Sequence, residues 1–240
     1  MFTPSVHLYD TIYLSRGKNY AAEADSVHQL VQHNLRSGGN SLLDVACGTG
    51  LHSSYLSAYY QVEGLDLDVR MIEAAKQKCP ELTFHVGDMR NFDLGPGGQF
   101  DVITCLFSSI GYVGTVAGLN QAIANFERHL KPGGLLFVEP WFTPEDWHPG
   151  NIHATFVDEP RLKISRMNVS GQEGNLSYFT FHYLVGTPEG IEYFTERHEL
   201  GLFTVEEYLS AFRACGLDVE RDALWLNGRG LYMASKPNGK

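Results

Sequence analysis

Neither a run of basic residues nor an apolar stretch approaching the ~20 residues that span a bilayer occurs in this 240-residue chain. Acidic side chains outnumber basic ones by 28 to 18, and the formal charge of −10 repels a phosphate backbone, so nucleic acid is excluded as a partner and a small molecule is favoured. Cysteine is scarce: Cys47, Cys79, Cys105 and Cys215 form no CxxC and no His/Cys cluster, which excludes a disulfide framework and a zinc site. Reduced core thiols and no bound metal are expected. Residues 1–15 lack the basic start and continuous apolar stretch of a signal peptide, so a cytoplasmic protein without membrane association is expected.

What is present is enough for one sizeable core: 43% of the residues are apolar. Ala21, Ala24, Val27, Leu30, Val31 and Leu35 recur at helical spacing over 19–35 and stop at Ser37-Gly-Gly-Asn40. A short apolar run over 41–46 then enters glycines, as a buried parallel strand does, with a helix over 51–60 after the turn. Strands at 62–65, 82–86, 101–107 and 135–139 alternate with helices at 69–78 and 118–130. Alternation with short connections predicts a doubly wound α/β fold, a mostly parallel Rossmann-like sheet with right-handed crossovers.

From 151 to 200 the pattern changes to β-rich segments at 162–169, 176–185 and 191–198, broken at Gly171-Gln-Glu-Gly174 and Pro188-Glu-Gly190, which read as antiparallel hairpins. Helical spacing returns over 204–215, with Thr204 a candidate N-cap and Gly216 a stop, and short strands surround Val219 and Leu231. The expected organisation is a core from 1–150 and 201–240, with 151–200 an antiparallel β insert covering the acceptor site or joining two copies in a homodimer.

Asp44-Val-Ala-Cys-Gly-Thr-Gly50 sits where a strand turns into a helix, and glycines there let backbone N–H groups approach a ligand. A dinucleotide fold prefers a third glycine, which Leu51-His52-Ser53 does not supply. Asp66 ends the next strand 22 residues after Asp44, the place from which a carboxylate accepts both ribose hydroxyls of an adenosine. Asp88 follows the third strand and can take the adenine amine, with Met71 and Met89 against the ring faces. The order of these strand-end sites resembles the class I S-adenosylmethionine (SAM)-dependent methyltransferases. That resemblance implies SAM as cofactor, its aminoacid end held by Asp44, with Ala46, Gly48 and Gly50 passing beneath it.

Further strings, Leu8-Tyr-Asp10, Arg16-Gly-Lys-Asn-Tyr-Ala-Ala-Glu23, Gly87-Asp-Met-Arg90, Phe107-Ser-Ser-Ile-Gly-Tyr112, Val138-Glu-Pro-Trp141 and Gly228-Arg-Gly-Leu231, are similar to the N,N-dimethyltransferases of dTDP-linked 3-amino sugars. The resemblance implies that Tyr9 and Tyr20 contact SAM, that Arg229 meets the nucleotide diphosphate of the acceptor, and that the insert covers the sugar. A guanidinium between glycines suits bidentate diphosphate binding. Tyr112 is the candidate orienting group and proton acceptor, with Glu139 a second strand-end candidate. Tyr13 and Trp141 join Tyr9, Tyr20 and Phe142 in an aromatic wall that favours a sulfonium cation and excludes water. His182 on a predicted hairpin is a candidate acceptor contact, and His198 faces an unspecified direction. Two rival readings stay open: a methyltransferase of another small amine or natural-product acceptor, and a non-catalytic SAM-binding protein.

Overall fold

A computed structural model describes residues 4–225 and 228–238. In chain order the elements are α1 (Val6–Ser15), α2 (Tyr20–Asn34), β1 (Ser41–Val45), α3 (Leu51–Leu56), β2 (Gln61–Asp66), α4 (Val69–Lys78), β3 (Thr83–Val86), β4 (Phe100–Cys105), a 3₁₀ turn at Ser109–Val113, α5 (Val116–Arg128) and β5 (Leu130–Val138). Then come β6 (Ile152–Glu159), β7 (Leu162–Glu173), β8 (Leu176–Thr187), β9 (Gly190–Gly201), α6 (Val205–Ala214), β10 (Asp218–Asp222) and β11 (Leu231–Ser235).

Seven strands form one sheet in the order β10-β11-β5-β4-β1-β2-β3. Strands β1 to β5 pair in parallel, and β11 runs antiparallel to both neighbours. Successive strand residues divide between two apolar layers. Leu43, Ile103 and Leu136 join the layer containing Ile123, Phe126 and Phe212, while Leu42, Val102 and Leu135 join that containing Ala24, Val27 and Val31. Helices on both faces explain why these strands read as continuous apolar runs. The order reverses between β1 and β4, so their carboxyl ends open the crevice in which ligands of such sheets bind.

The second sheet, β6-β7-β8-β9, is antiparallel throughout and occupies the chain between β5 and α6. It docks beside the crevice, where Gly111 of the 3₁₀ turn meets β9; a Cβ there would lie 2.9 Å from Leu200 and 3.1 Å from Trp141. The sequence reading assigned no element to the opening segment, yet α1 covers this region. Only Leu8 and Ile12 of α1 are buried, and they pack against Val157, Ile164, Phe181, Tyr183 and Val185 of the insert. Two such side chains contribute ~1.5–3 kcal/mol each, less than the ordering entropy of ten residues. Helix α1 is thus a product of docking, further tied by Ser5, whose N–H and Oγ donate to Glu196 at 2.8 Å, and by Asp10, which accepts from Thr49 Oγ1 at 2.5 Å and pairs with Lys78.

Candidate active site

After β1 the chain turns through Ala46 (φ 57°), Gly48 (56°) and Gly50 (78°). Glycine accepts the left-handed region freely, whereas Ala46 there costs ~1–2 kcal/mol. Surrounding bonds hold it: Cys47 N–H donates to Leu65 O at 3.1 Å and Gly48 N–H to Asp66 Oδ2 at 2.8 Å. The other Asp66 oxygen accepts from Asp68 N–H at 2.8 Å. Burial pushes the Asp66 carboxyl up, against the pull of those two amides. Asp44 is also raised by burial, and its oxygens accept from Ser53 Oγ at 2.7 Å and Thr104 Oγ1 at 3.0 Å. Strained backbone recurs after β4 at Phe107 (φ 55°) and Ser108 (φ 60°), of which Phe107 faces the same crevice. Two such turns at adjacent strand ends mark a site whose surroundings over-determine it.

A cavity of about 20 Å³ opens between them, lined among others by Tyr9, Tyr20, Asp44, Ala46, Gly48, His52 and Phe107. It admits the tip of a ligand rather than a nucleoside, and α1 places Tyr9 in its wall. The Tyr20 hydroxyl is buried at this cavity with no hydrogen-bond partner among the described residues, a donor awaiting a polar ligand group. An orphaned hydroxyl, the freely turning glycines and a strand-end carboxylate fit the cofactor implied by the sequence. Cys47 lines the cavity too, but burial, with Asp44 and Asp66 adding, raises its thiol well above the usual range, which removes it as a nucleophile. All four cysteines are free thiols.

Around the adenine end the placement differs from the simple expectation. Met71 is buried on α4. Met89 leans on the apolar layer of Phe92 and Phe126, and Arg90 clasps the Asp88 carboxylate through Nε at 3.0 Å and Nη2 at 2.5 Å. Those bonds hold Asp88 below the usual carboxylate range.

On the acceptor side, β11 runs antiparallel with Tyr232 opposite Val138, which brings Arg229 to Glu139. Arg229 Nη2 donates to Glu139 Oε1 at 3.0 Å, Phe107 N–H donates to Oε2 at 2.8 Å, and the guanidinium lies 5.6 Å from the Trp141 ring and 5.7 Å from Phe142. Arg229, expected to be open to a diphosphate, is here in a buried ion pair, although its Nε has no hydrogen-bond partner among the described residues. Trp141 Nε1 donates to Ser177 Oγ at 2.9 Å, joining core and insert. Tyr13 packs edge-on against Phe107 with centroids 4.9 Å apart and stands 4.7 Å from Tyr9. Tyr112 is 37% exposed, yet its hydroxyl end is desolvated and lies in range of Tyr13, Glu196, Tyr183 and Asp66, which together raise it well above a free phenol.

His182 is not brought to the crevice. It stands on the opposite face of the insert sheet, exposed, with Nδ1 2.7 Å from the Tyr193 hydroxyl. The histidine at the site is His198, wholly buried, with Nδ1 2.8 Å from the Tyr112 hydroxyl. Sequence reasoning also missed Lys18, Glu23 and His52. Lys18 Nζ lies 2.7 Å from both Glu23 oxygens and 3.8 Å from the Phe107 centroid, and His52 Nε2 is 2.7 Å from Glu23. The available signal was a glutamate on the buried stripe of α2, beside Tyr20, Ala24 and Val27.

Residues 42–134 match the family described as Methyltransferase domain. The chain is 40% identical over 227 residues, 94% of its length and 88% of the relative's, to dTDP-3-amino-3,6-dideoxy-alpha-D-glucopyranose N,N-dimethyltransferase of Streptomyces fradiae. It is 42% identical, covering 94% of this chain and 90% of the relative, to dTDP-4-amino-2,3,4,6-tetradeoxy-D-glucose N,N-dimethyltransferase of Saccharopolyspora spinosa. Among solved structures, DesVI of Streptomyces venezuelae superposes with a TM-score of 0.90 at 39% identity, covering 96% of this chain and 97% of that one. SAM-bound CalS10, an amino pentose methyltransferase from Micromonospora echinaspora, gives 0.86 at 38%, covering 95% and 96%.

Proposed function

The chain belongs to the SAM-dependent N,N-dimethyltransferases of dTDP-linked amino sugars, and from that membership we propose that it converts the primary amine of such a sugar to the dimethylamine. The observation that carries the reading is that the two ends of the site, the Gly48 turn and the Arg229–Glu139 pair, meet at Phe107, which lines the cavity and whose N–H binds Glu139. At one end Asp66 and the Gly48 turn suit an adenosine; at the other the Arg229 guanidinium, with a buried donor to spare, suits a diphosphate, and tyrosine hydroxyls lie between.

In the bound state SAM supplies an electrophilic methyl on a good leaving group, so the protein has little covalent chemistry to perform. Asp66 would take the ribose hydroxyls, Tyr20 and Tyr9 would contact the aminoacid end with Asp44, Ala46, Gly48 and Gly50, and Asp88, once released by Arg90, would meet the adenine beside Met71 and Met89. Arg229 exchanges its bond to Glu139 for the acceptor's diphosphate, and the released carboxylate stays to face the amine. Tyr13 and Trp141 exclude water beside the sugar. Alignment of amine and methyl supplies several of the ~7–11 kcal/mol available from orientation. The amine attacks only when neutral, and with a pKa of about 8, that of an amine such as an α-amino group beside electron-withdrawing substituents, a positioned acceptor at Tyr112 raises the productive fraction.

Among the described residues no helix is long and apolar enough to cross a membrane. We place the enzyme in the cytoplasm, with its nucleotide-linked substrate, and nucleic acid plays no part in the reading. The outer face of the insert carries Ile152, Phe156, Val169, Leu184 and Tyr193, all more than half exposed except Leu184 at 50%, and a second copy of the chain is the proposed cover.

The test is calorimetric titration of the S-adenosylhomocysteine-loaded protein with dTDP and with dTDP-3-amino and dTDP-4-amino sugars, followed by mass spectrometry of SAM reactions. Saturable binding and two successive methyl additions are expected, and loss of acceptor binding with retained S-adenosylhomocysteine affinity is expected for Arg229→Ala. Tight S-adenosylhomocysteine binding with no nucleotide binding would reassign the acceptor to another small amine. Binding without turnover of any acceptor would leave a SAM-binding protein.

A further inference from the structure

Behind Tyr112 the inner face of the insert holds a series of buried polar groups, His198 and Glu196. His198 Nδ1 lies 2.8 Å from the Tyr112 hydroxyl, its Nε2 lies 3.9 Å from Glu196 Oε2, and Glu196 is anchored through both oxygens by Ser5 at 2.8 Å. His198 and Glu196 are 0% and 4% exposed. Phe179 stacks on the imidazole at 5.5 Å and Phe181 meets it edge-on at 5.3 Å, so the ring cannot turn without disturbing the sheet. A carboxylate and an imidazole sealed this way stabilise a fold no better than apolar residues of equal volume.

We propose that His198, held by Glu196, is a positioning residue that makes Tyr112 a hydrogen-bond acceptor for the amine being methylated and receives the proton that each methylation releases. The inference rests on the amino-sugar reading and extends it. The Glu196 carboxylate lies 3.9 Å from Nε2, beyond hydrogen-bond reach but near enough for its charge to favour the imidazole proton on Nε2, which leaves Nδ1 as an acceptor. Tyr112 then donates to Nδ1, and its oxygen lone pairs face the crevice. An amine N–H bound there leaves the nitrogen lone pair for the methyl carbon. Each transfer leaves one N–H proton too many, and a second transfer requires its loss. That proton passes to the Tyr112 oxygen as the phenol's own proton passes to His198 Nδ1, and the imidazolium formed faces the Glu196 carboxylate.

The titratable and charged groups that act on His198 from its neighbours are Tyr112 on the 3₁₀ turn, Glu196 on β9 and Arg166 on β7. Burial keeps the resting imidazole below its ordinary pKa, against the opposing pull of Glu196, so it is neutral and ready to accept. Burial also opposes ionisation of Glu196, but the nearby imidazole and the two bonds from Ser5 outweigh it and keep the carboxyl below its usual range.

Two measurements decide. Nitrogen-15 NMR of the histidine-labelled enzyme is expected to show His198 as the Nε2–H tautomer from pH 6 to 8; an Nδ1–H tautomer would overturn the proposal whatever the acceptor. In kinetics, His198→Asn keeps an acceptor for the phenol but takes up no proton. Its kcat is expected to fall on the order of 10-fold to 100-fold with KM for the acceptor little changed. Monomethylated product should accumulate, and the acid limb of the kcat profile should move to higher pH because solvent must take the proton. Tyr112→Phe should reproduce the shift, and the double variant should be no worse than either single one. Additive losses or an unchanged product ratio and pH profile would reduce the pair to a structural role. A wild-type enzyme that methylates no dTDP-amino sugar would sink the acceptor reading instead, and the tautomer would still test the hydrogen-bond assignment.

Discussion

In the seven-stranded sheet the buried polar side chains Asp44, Asp101, Thr104 and Glu139 stand at or next to strand ends, while the strand interiors are apolar on both faces. In the four-stranded sheet Arg166, Asn168, Glu196 and His198 are buried in mid-strand on the inner face, and the apolar side chains of Ile152, Phe156, Leu184 and Tyr193 turn outward. A sheet covered by helices places polar groups only near strand ends, and with Asp101 at the amino end bonded to Ser41 and Lys131, the carboxyl-end groups Asp44, Thr104 and Glu139 localise the ligand to one edge. The four-stranded sheet buries these polar groups at a cost among Val157, Ile164, Phe181, Tyr183 and Val185 while leaving apolar groups outside, which points to a polar ligand on the inner side and a protein surface on the outer.

The largest expected effect tests the core edge. Asp66 accepts from the core amides of Gly48 and Asp68, and Asp66→Ala should weaken S-adenosylhomocysteine binding by at least about 100-fold, from two lost ribose hydrogen bonds to a charge at ~1.5–3 kcal/mol each. Calorimetry checks this, and an unchanged affinity would move the adenosine away from β2. The outer face comes next. Replacing both Phe156 and Leu184 by Glu places charges on the proposed contact between copies and should cost at least ~2 kcal/mol per lost anchor. Light scattering should then report a monomer where the wild type is dimeric, with S-adenosylhomocysteine binding intact; a wild-type monomer would return the apolar face to solvent.

The seven-stranded sheet was legible because parallel strands buried on both faces are uninterrupted apolar runs, and glycines mark their carboxyl ends. The candidate cofactor residues Asp44, Gly48 and Asp66 are read from that order. Helix α1 was not legible, since its conformation depends on the insert and only Leu8 and Ile12 signal it. The histidines show a second limit. Pairing of His182 with Thr195 and of Phe179 with His198 sets His182 outward and His198 inward. A slip of one residue would exchange those faces, and only the folded register decides. The Arg229–Glu139 pair needed the antiparallel placement of β11, a contact 90 residues apart.

Acid should separate the two sheets. His198 has a lowered folded pKa, so between that value and the unfolded ~6.5 the unfolded chain binds more protons and stability falls as pH drops. Glu196, also lowered, adds a loss below its unfolded ~4.3. Asp44 and Asp66 are raised by burial, so their ionised forms weaken the folded state at neutral pH and acid relieves them. Hydrogen exchange, corrected for intrinsic rates, should show β9 amides losing protection before β4 amides from pH 7 to pH 5. His198→Asn should abolish that difference above pH 5, and its persistence would assign the sensitivity to another group.

The smallest effect lies at the joint where the insert returns to the core. Thr204 caps α6 by accepting from Glu207 N–H at 3.2 Å, and Glu207 Oε2 accepts from Thr204 N–H at 2.7 Å, so two orphan amides are satisfied reciprocally. Thr204→Ala removes one of these bonds and should cost ~1 kcal/mol, lowering Tm by about 2–4 °C for a chain of this size. The consequence for the comparison depends on where the loss appears. If exchange rises in α6 alone, the cap serves only its helix. If it rises in β9 as well, the orientation of the insert over the crevice is set from this joint, and His198 should lose its hold on Tyr112 in the same variant.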